Sequence, residues 1–453
     1  MKKKIKKLNI FSSLSFLPLM PLVAASCKKN GNDEKVQIIN NESNPQTSKQ
    51  MTPPPNSIND NDDKSDKNEK TDNNQNSESL VNPNETDDEK EKKKIEDEKK
   101  KIEEEKKLKE KQEQEDKNNF ELIKAIVKEQ EDAFATFHTR KDFLDQINVF
   151  AKEEGIKNLE LADDGNEDKT FKVGENDPEN KVKLRLGTYE FEVQLGKVLN
   201  DRVATKYYIK NDKERIIEDQ DGKFLSLKTT NHKVVITQIG YSLKDKNSSR
   251  EKVIEIHKMP KNTKEVPEHL PLKIKSLKLA FSGLNSEEVL NLDKWDVSNV
   301  ESMETMFFDA KKFNQDISKW NTENVRNMQA LFSGAENFNQ PLNSWNVSKV
   351  TTMYQMFTGA HKFNQDLNEW NVSNVTNMEE MFWEATNFNG KIDSWNVENV
   401  TELFRMFLTA TNFSQDLSKW KIKNNVIKNI RNNIFDHRYQ HREKVLVAWE
   451  NNN

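Results

Sequence analysis

The sequence predicts an α/β solenoid in the C-terminal half of a 453-residue chain, preceded by a small α+β domain, a charged helix and a disordered tether. Three observations predict this order: a 25-residue repeat, a change from helical to alternating hydrophobic spacing before it, and a polar, charge-rich N-terminal part. With 33% hydrophobic and 32% charged residues, the chain is too polar to pack as one compact domain.

The first 26 residues are typical of a signal peptide, with five Lys and no acidic residue before an uncharged stretch. That stretch ends in Leu22-Val23-Ala24-Ala25-Ser26-Cys27, and Cys27 is the only cysteine. The segment resembles a bacterial lipobox, in which a lipidated cysteine becomes the new N-terminus, although Ala24 stands where Leu is usual. The resemblance implies a protein anchored by Cys27 to the outer face of a cell membrane, since two or more acyl chains anchor durably.

Composition limits the remaining function classes. A single cysteine excludes an internal disulfide and a Cys-based metal site. Beyond the signal peptide the net charge is -10, because five Lys leave a chain of net charge -5, so we expect no nucleic-acid partner. The P-loop, H-E-x-x-H and G-x-S-x-G motifs are missing, and we expect no enzyme, cofactor, metal site or small-molecule substrate. A weak alternative is zinc held by His437 and His441, four residues apart beside Asp436.

Two extended segments follow the signal peptide. Residues 27–87 hold few apolar side chains and predict a disordered tether, because such a composition cannot offset the entropy lost on folding. Residues 88–117 are almost wholly Glu and Lys, with pairs four residues apart such as Glu96/Lys100 and Glu103/Lys107. This pattern predicts a single solvated helix.

Residues 118–260 predict the small α+β domain. Apolar residues recur at helical spacing up to Gly155, and the period then changes to two. Val182-x-Leu184-x-Leu186 and Tyr189-x-Phe191-x-Val193 flank Gly187-Thr188, which predicts a β-hairpin. We interpret His257 as a packing residue rather than a general base.

The repeats carry most of the information. Residues 261–294 are interpreted as an N-terminal cap with a degenerate repeat, 295–419 as five repeats and 420–453 as a C-terminal cap. The predicted repeat core is a set of tryptophans spaced 25 residues apart: Trp295, Trp320, Trp345, Trp370, Trp395 and Trp420. In each unit a Val-x-x-Met-x-x-Met-Phe-x-x-Ala pattern predicts a return helix, and the segment around Trp predicts a short strand. Twenty-five residues are too few for two helices, which favours one strand and one helix per unit.

Two phrases within the repeats carry a resemblance. Phe363-Asn364-Gln365-Asp366-Leu367 and Trp370-Asn371-Val372-Ser373-Asn374-Val375-Thr376-Asn377-Met378 resemble mycoplasma surface lipoproteins with 25-residue repeats, a family of unassigned function related to BspA-like leucine-rich repeats. The resemblance implies leucine-rich-repeat-like β/α coils and surface exposure. It also implies adhesion as a role, since BspA-like proteins are often linked to it.

The candidate ligand face is a row of polar residues that follow the repeated Trp. On a strand these residues would point outward and bind a host or matrix protein or glycan. The row comprises Asn321, Asn346, Asn371, Asn396, Ser348 and Ser373. Two alternatives stay open: the Asn side chains satisfy only turn backbones, or the protein is a non-binding surface coat or antigenically variable decoy. A solute-binding lipoprotein and a hydrolase are weaker alternatives.

Overall fold

The computed structural model describes residues 87–134, 139–163, 165–199, 202–224, 232–245 and 251–451. The predicted signal peptide, the lipidation residue Cys27 and the tether up to residue 86 lie outside these ranges. Within them the fold is mixed α/β, with several open sheets in which most strand pairs are antiparallel.

Five α-helices and twelve strands occur among the described residues. The helices are α1 (Asp87–Glu129), α2 (Glu131–Phe134), α3 (Arg140–Glu153), α4 (Asn424–Ile430) and α5 (Arg442–Asn451). The strands are β1 (Leu159–Leu161), β2 (Gly174–Glu175), β3 (Lys181–Leu186), β4 (Tyr189–Gln194), β5 (Lys197–Val198), β6 (Arg202–Val203), β7 (Thr205–Ile209), β8 (Asp212–Asp219), β9 (Val234–Gln238), β10 (Tyr241–Asp245), β11 (Lys252–Ile256) and β12 (Thr263–Glu265).

Helix α1 is 43 residues long and continues past the predicted end at residue 117. Residues 87–115 are exposed, and pairs such as Lys107 and Glu103, 2.8 Å apart, lie along this surface. The last turns instead bury Ile123 and Val127 against the first hydrophobic cluster. The charged and the amphipathic segments therefore form one helix, since no residue between them breaks the helical pattern.

The first hydrophobic cluster packs the end of α1 and α3 against the hairpin β3–β4. Thr139 caps α3 through a reciprocal capping box with Asp142. The hairpin is confirmed, with Leu186 paired to Tyr189 and Gly187 at φ +59° in the turn.

The second hydrophobic cluster begins at Val203 and continues to Trp449. It joins a sheet of order β12-β9-β7-β8 and a sheet of order β11-β10-β6 to the repeats. Single parallel bridges, Glu255 to Ser276 and Glu265 to Leu290, continue the pairing of β11 and β12 into the repeat region. Residues 118–260, predicted as one domain, thus contribute to two hydrophobic clusters.

The predicted return helix of each repeat is wrong. Residues 295–423 form turns and single parallel bridges and contain no α-helix. The bridges join equivalent positions of successive units: Ser276, Ser302, Asn327, Thr352, Asn377 and Glu402. Around each bridge, alternate backbone N–H groups donate to the following unit, as Thr305 does to Gln329 O (2.8 Å) and Phe307 to Leu331 O (2.9 Å).

The turns explain why helical spacing was misleading. Met306 donates to Met303 O and Ala310 to Phe307 O, so consecutive turns place apolar side chains three and four residues apart, as a helix would. Positive φ values of 48–56° recur at one turn position, occupied by Thr305, Ala330, Gln355, Glu380 and Arg405. These values are incompatible with a right-handed helix.

The predicted strand around each Trp is also wrong. Ile317 O accepts from Trp320 N–H (3.2 Å), and Thr322 O accepts from Val325 N–H (2.9 Å), so the chain turns on both sides of Trp320. Asn321 adds a side-chain bond to the N–H of Glu323. Asn bonded to the backbone two residues later favours turns over extended chain.

Stacked aromatic columns fill the repeat core. The six predicted core tryptophans are 1–4% exposed. Their indole N–H groups each donate to a backbone carbonyl 28 residues earlier, as Trp370 does to Leu342 O at 2.8 Å. Phe307 stacks on Phe332 with ring centroids 5.6 Å apart and an interplanar angle of 1°, and the same column continues through later units.

The C-terminal segment closes these columns with residues outside the 25-residue period. Phe435 stacks on Phe407, Tyr439 on Phe413, and Trp449 on Trp420. Trp449 on α5 also donates its indole N–H to Leu417 O at 2.8 Å. The cap therefore supplies one ring to each column and covers the last repeat.

Stability should depend on pH through His257, which is 5% exposed. Burial, followed by Lys244, lowers the pKa of His257 from 6.5 to about 4. The unfolded chain then binds the proton more readily, so this contribution to stability is complete above pH 6.5 and falls as the pH drops towards 4, by about 3 kcal/mol. Urea unfolding at several pH values should show this fall reduced in His257→Gln. If the free energy of unfolding fell equally with pH in the two proteins, His257 would not be the cause of the fall.

Candidate binding surfaces

The predicted polar row lies in turns rather than on a strand. Asn321, Asn346, Asn371 and Asn396 are exposed, whereas Ser348 and Ser373 are half-buried. Each of the four Asn Oδ1 atoms accepts from the N–H two residues later, at 3.1–3.2 Å.

The oxygens of this row therefore have a structural role. Asp296, which holds the same position in the first unit, accepts from Ser298 N–H at 2.9 Å. A carboxylate thus makes the same turn bond as the amide. The Asn Nδ2 donors take no part in these turn bonds and remain for a ligand on this surface.

A second surface follows the bridged positions and varies from unit to unit. We define the turn face as five positions in each of the five repeats. These are Glu301, Ser302, Glu304, Thr305 and Phe308; Arg326, Asn327, Gln329, Ala330 and Ser333; Thr351, Thr352, Tyr354, Gln355 and Thr358; Thr376, Asn377, Glu379, Glu380 and Trp383; and Thr401, Glu402, Phe404, Arg405 and Leu408. All are exposed or half-buried except Ala330, Ser333 and Glu380.

The first end of the turn face forms a groove of about 290 Å³ with β10 and β11. Glu304 lines this groove, with its carboxylate 2.7 Å from Lys278 Nζ and 3.2 Å from Asn327 Nδ2, which donates to it. Glu255 accepts from Ser276 Oγ at 3.0 Å, and burial raises the pKa of Glu255. Glu304 and Lys278 thus form an ion pair within the groove.

The other end of the turn face combines acidic and aromatic side chains. Burial, followed by the neighbouring carboxylates of Glu380 and Glu402, raises the pKa of Glu379. Burial, followed by the carboxylates of Glu380 and Glu379, raises the pKa of Tyr354. Excess negative charge therefore lies beside aromatic rings.

The guanidinium of Arg405 contacts acidic and aromatic side chains at this end. Arg405 Nη1 lies 3.6 Å from Glu380 Oε1, and its guanidinium lies 4.8 Å from the Phe404 ring centroid and 5.9 Å from that of Trp383. Gln355 donates to the second Glu380 oxygen at 2.6 Å. The buried carboxylate of Glu380 thus fixes groups from three successive units.

The two histidines of the zinc alternative do not lie on a helix. His437 and His441 lie in turns before α5, and Asp436 binds the guanidinium of Arg438 at 2.8 Å. No group of three or more metal-ligating side chains occurs among the described residues.

A cleft of about 390 Å³ lies beside α3 and β9. His269 in its wall lies 2.7 Å from Glu153, and Phe150 packs edge-on against the imidazole ring. Gln146 also lines the cleft and accepts from Leu272 N–H. These contacts fix the wall of the cleft.

Sequence reasoning missed the turn face and Trp449. The varying turn-face positions were visible once the units were aligned on Trp, because core positions repeat while these do not. Trp449 gave no comparable signal, since it lies 29 residues after Trp420.

Comparison with known proteins gives one family. Residues 275–382 and 367–451 match the family described as Mycoplasma protein of unknown function, DUF285. The match includes the repeats and most of the C-terminal cap, and supports a mycoplasma-type family of unknown function for this part of the chain. No curated protein and no solved structure matches the chain.

Within the described ranges, none of the helices combines the length and the apolar composition needed to cross a bilayer.

The two classes of Trp should differ in their effect on stability. Trp345 is 2% exposed and donates to Ile317 O, whereas Trp383 is half-buried on the turn face. Trp345→Ala should lower the free energy of unfolding by about 3–5 kcal/mol, because it leaves a cavity in the core and removes one of the two hydrogen bonds to Ile317 O. Trp383→Ala should cost about 1 kcal/mol or less. Equal losses in chemical denaturation would show that the Trp columns are not the core.

Proposed function

We propose that this chain is a lipid-anchored, non-enzymatic surface protein whose repeats form a solenoid that binds a host or matrix protein or glycan. The observation that carries the proposal is the contrast between a constant core and a varied turn face. Repeats that served only as a spacer would gain nothing from a different side chain at each exposed position. A surface that differs from unit to unit can offer a partner a distinct contact at each position.

The acidic and aromatic end of the turn face is the part best suited to a partner. Trp and Tyr supply large contact areas with little loss of conformational entropy, and they are enriched at the centres of interfaces. The adjacent carboxylates of Glu379 and Glu402 favour a partner that offers basic side chains or hydroxyl donors. The polar row is the second candidate surface, through the four exposed Asn amides.

Binding of the chain from residue 28 onward to host cells and to immobilised matrix tests the proposal. Deleting the repeats is unsuitable as a control, because they share a hydrophobic cluster with the preceding sheets. We expect saturable binding that falls at least tenfold in a double variant of two half-buried aromatics at the acidic and aromatic end, Tyr354→Ala with Trp383→Ala.

The matched control changes the polar row without removing its turn bonds. Asn346→Asp with Asn371→Asp removes two amide donors and keeps an acceptor, as Asp296 does in the first unit. We expect this variant to bind like the unmodified chain. A loss here alone would move the ligand to the polar row, and no saturable binding by any protein would favour the coat or decoy.

Membrane attachment is tested separately through Cys27. The lipobox resemblance and the basic, then uncharged, N-terminus support lipidation. In a mycoplasma expressing the full-length chain, Cys27→Ala should move the protein from the membrane to the soluble fraction. The variant should also lose incorporation of a labelled fatty acid. A variant that stays tightly membrane-bound, or a wild type that takes up no label, would contradict the lipid anchor.

A further inference from the structure

A row of lysines crosses one end of the sheet β12-β9-β7-β8. Ile209 pairs with Val234 and Thr263 pairs with Val234, so the residues that follow β7, precede β9 and lie early in β12 meet at this end. They are Lys210, Lys233 and Lys264. Lys210 N–H donates to Lys233 O at 2.9 Å, which holds the first two strands in register.

Lys312 of the first repeat extends the row beyond the sheet. Burial lowers the pKa of Lys264, and the positive charges of Lys233, Lys312 and Lys210 lower it further, against the opposing effect of Glu287. The ammonium groups of three lysines at this end of the sheet and one lysine of the first repeat therefore lie close enough to influence one another.

These lysines differ from the other charged groups of the fold. Among the described residues, none of the four lies within ion-pair distance of a carboxylate, whereas Lys278, Lys294 and Lys311 each do. The chain without its first 26 residues has a net charge of -10, so a run of unpaired cations stands out against an acidic surface. Charge repulsion within the row is relieved when an anion binds.

We propose that this lysine row binds a linear polyanion of the sulfated polysaccharide class. The cations are spread along a line rather than gathered around one point, which suits repeated sulfates better than a single phosphate. Lysine presents a point charge without the fork of arginine, so the contact selects charge density rather than one bidentate group. The choice of sulfated polysaccharide over nucleic acid rests on the proposed function, which places the protein outside the cell.

The test is binding of the chain from residue 28 onward to heparin, with chemically desulfated heparin, duplex DNA and phosphatidylserine vesicles as comparison ligands. Lys210→Gln, Lys233→Gln and Lys312→Gln are combined, since all three side chains are exposed and their removal leaves the core intact. The control combines Lys362→Gln, Lys419→Gln and Lys428→Gln, which changes the net charge equally at other exposed sites.

We expect the row variant to lose heparin affinity at least tenfold at about physiological salt, and the control to stay within about twofold. The slope of log affinity against log salt should become shallower by roughly two to three in the row variant, about one for each lysine removed. Thermal unfolding of both variants should match that of the unmodified chain.

Three outcomes would overturn the assignment: no heparin binding, equal losses in the two variants, or equal affinity for desulfated heparin. Equal or tighter binding to duplex DNA or to the vesicles would replace the sulfated polysaccharide with that ligand. These measurements use purified components, so they can succeed when binding to host cells fails, and the converse also holds.

Discussion

The repeat region depends on backbone hydrogen bonds that pass from one unit to the next. In each unit, alternate N–H groups close turns within the unit, and those between them donate to the following one, as Met303 does to Asn327 O. Beyond its first turn an α-helix uses its N–H groups internally and leaves none for this purpose. A unit without a neighbour would leave these donors unpaired, at a cost of about 1–3 kcal/mol for each one that stays buried. Neighbours on both sides are therefore a requirement of the local geometry.

The two ends meet this requirement differently. At the first end β11 and β12 bridge to Ser276 and Leu290, so an ordinary sheet supplies the backbone partners. At the other end Phe407 donates its N–H to Ile434 O, and the aromatic columns finish on rings of the cap. The preceding sheets thus share one hydrophobic cluster with the repeats.

The sequence was sufficient for the period, the hairpin and the buried side chains, but not for the backbone path. Apolar residues at 303, 306, 307 and 310 satisfy a helix and a series of turns equally, because both place every third or fourth side chain on one side. The helix and the series of turns differ at residues with left-handed backbone conformation, such as Gln355 and Glu380. Gln and Glu seldom adopt a positive φ, so their presence does not predict one. The same ambiguity affected the polar row: exposure of Asn346 followed from the pattern, but its turn bond to Ser348 depended on the local path.

The separate roles of the backbone and the side chains determine how the turn face can change. Because main-chain bonds and buried rings hold the units together, an exposed turn-face side chain such as Phe308 can be replaced at a cost of about 0.5 kcal/mol or less. Glu380 is different, since it is buried and binds both Gln355 and Arg405, so its loss would leave a half-buried amide and a cation without this partner. Substitutions at exposed positions around Glu380 should therefore change the free energy of unfolding little, whereas a substitution of Glu380 itself should lower it. The fold can thus carry different turn-face side chains from unit to unit while one buried carboxylate keeps the acidic and aromatic end in a fixed arrangement.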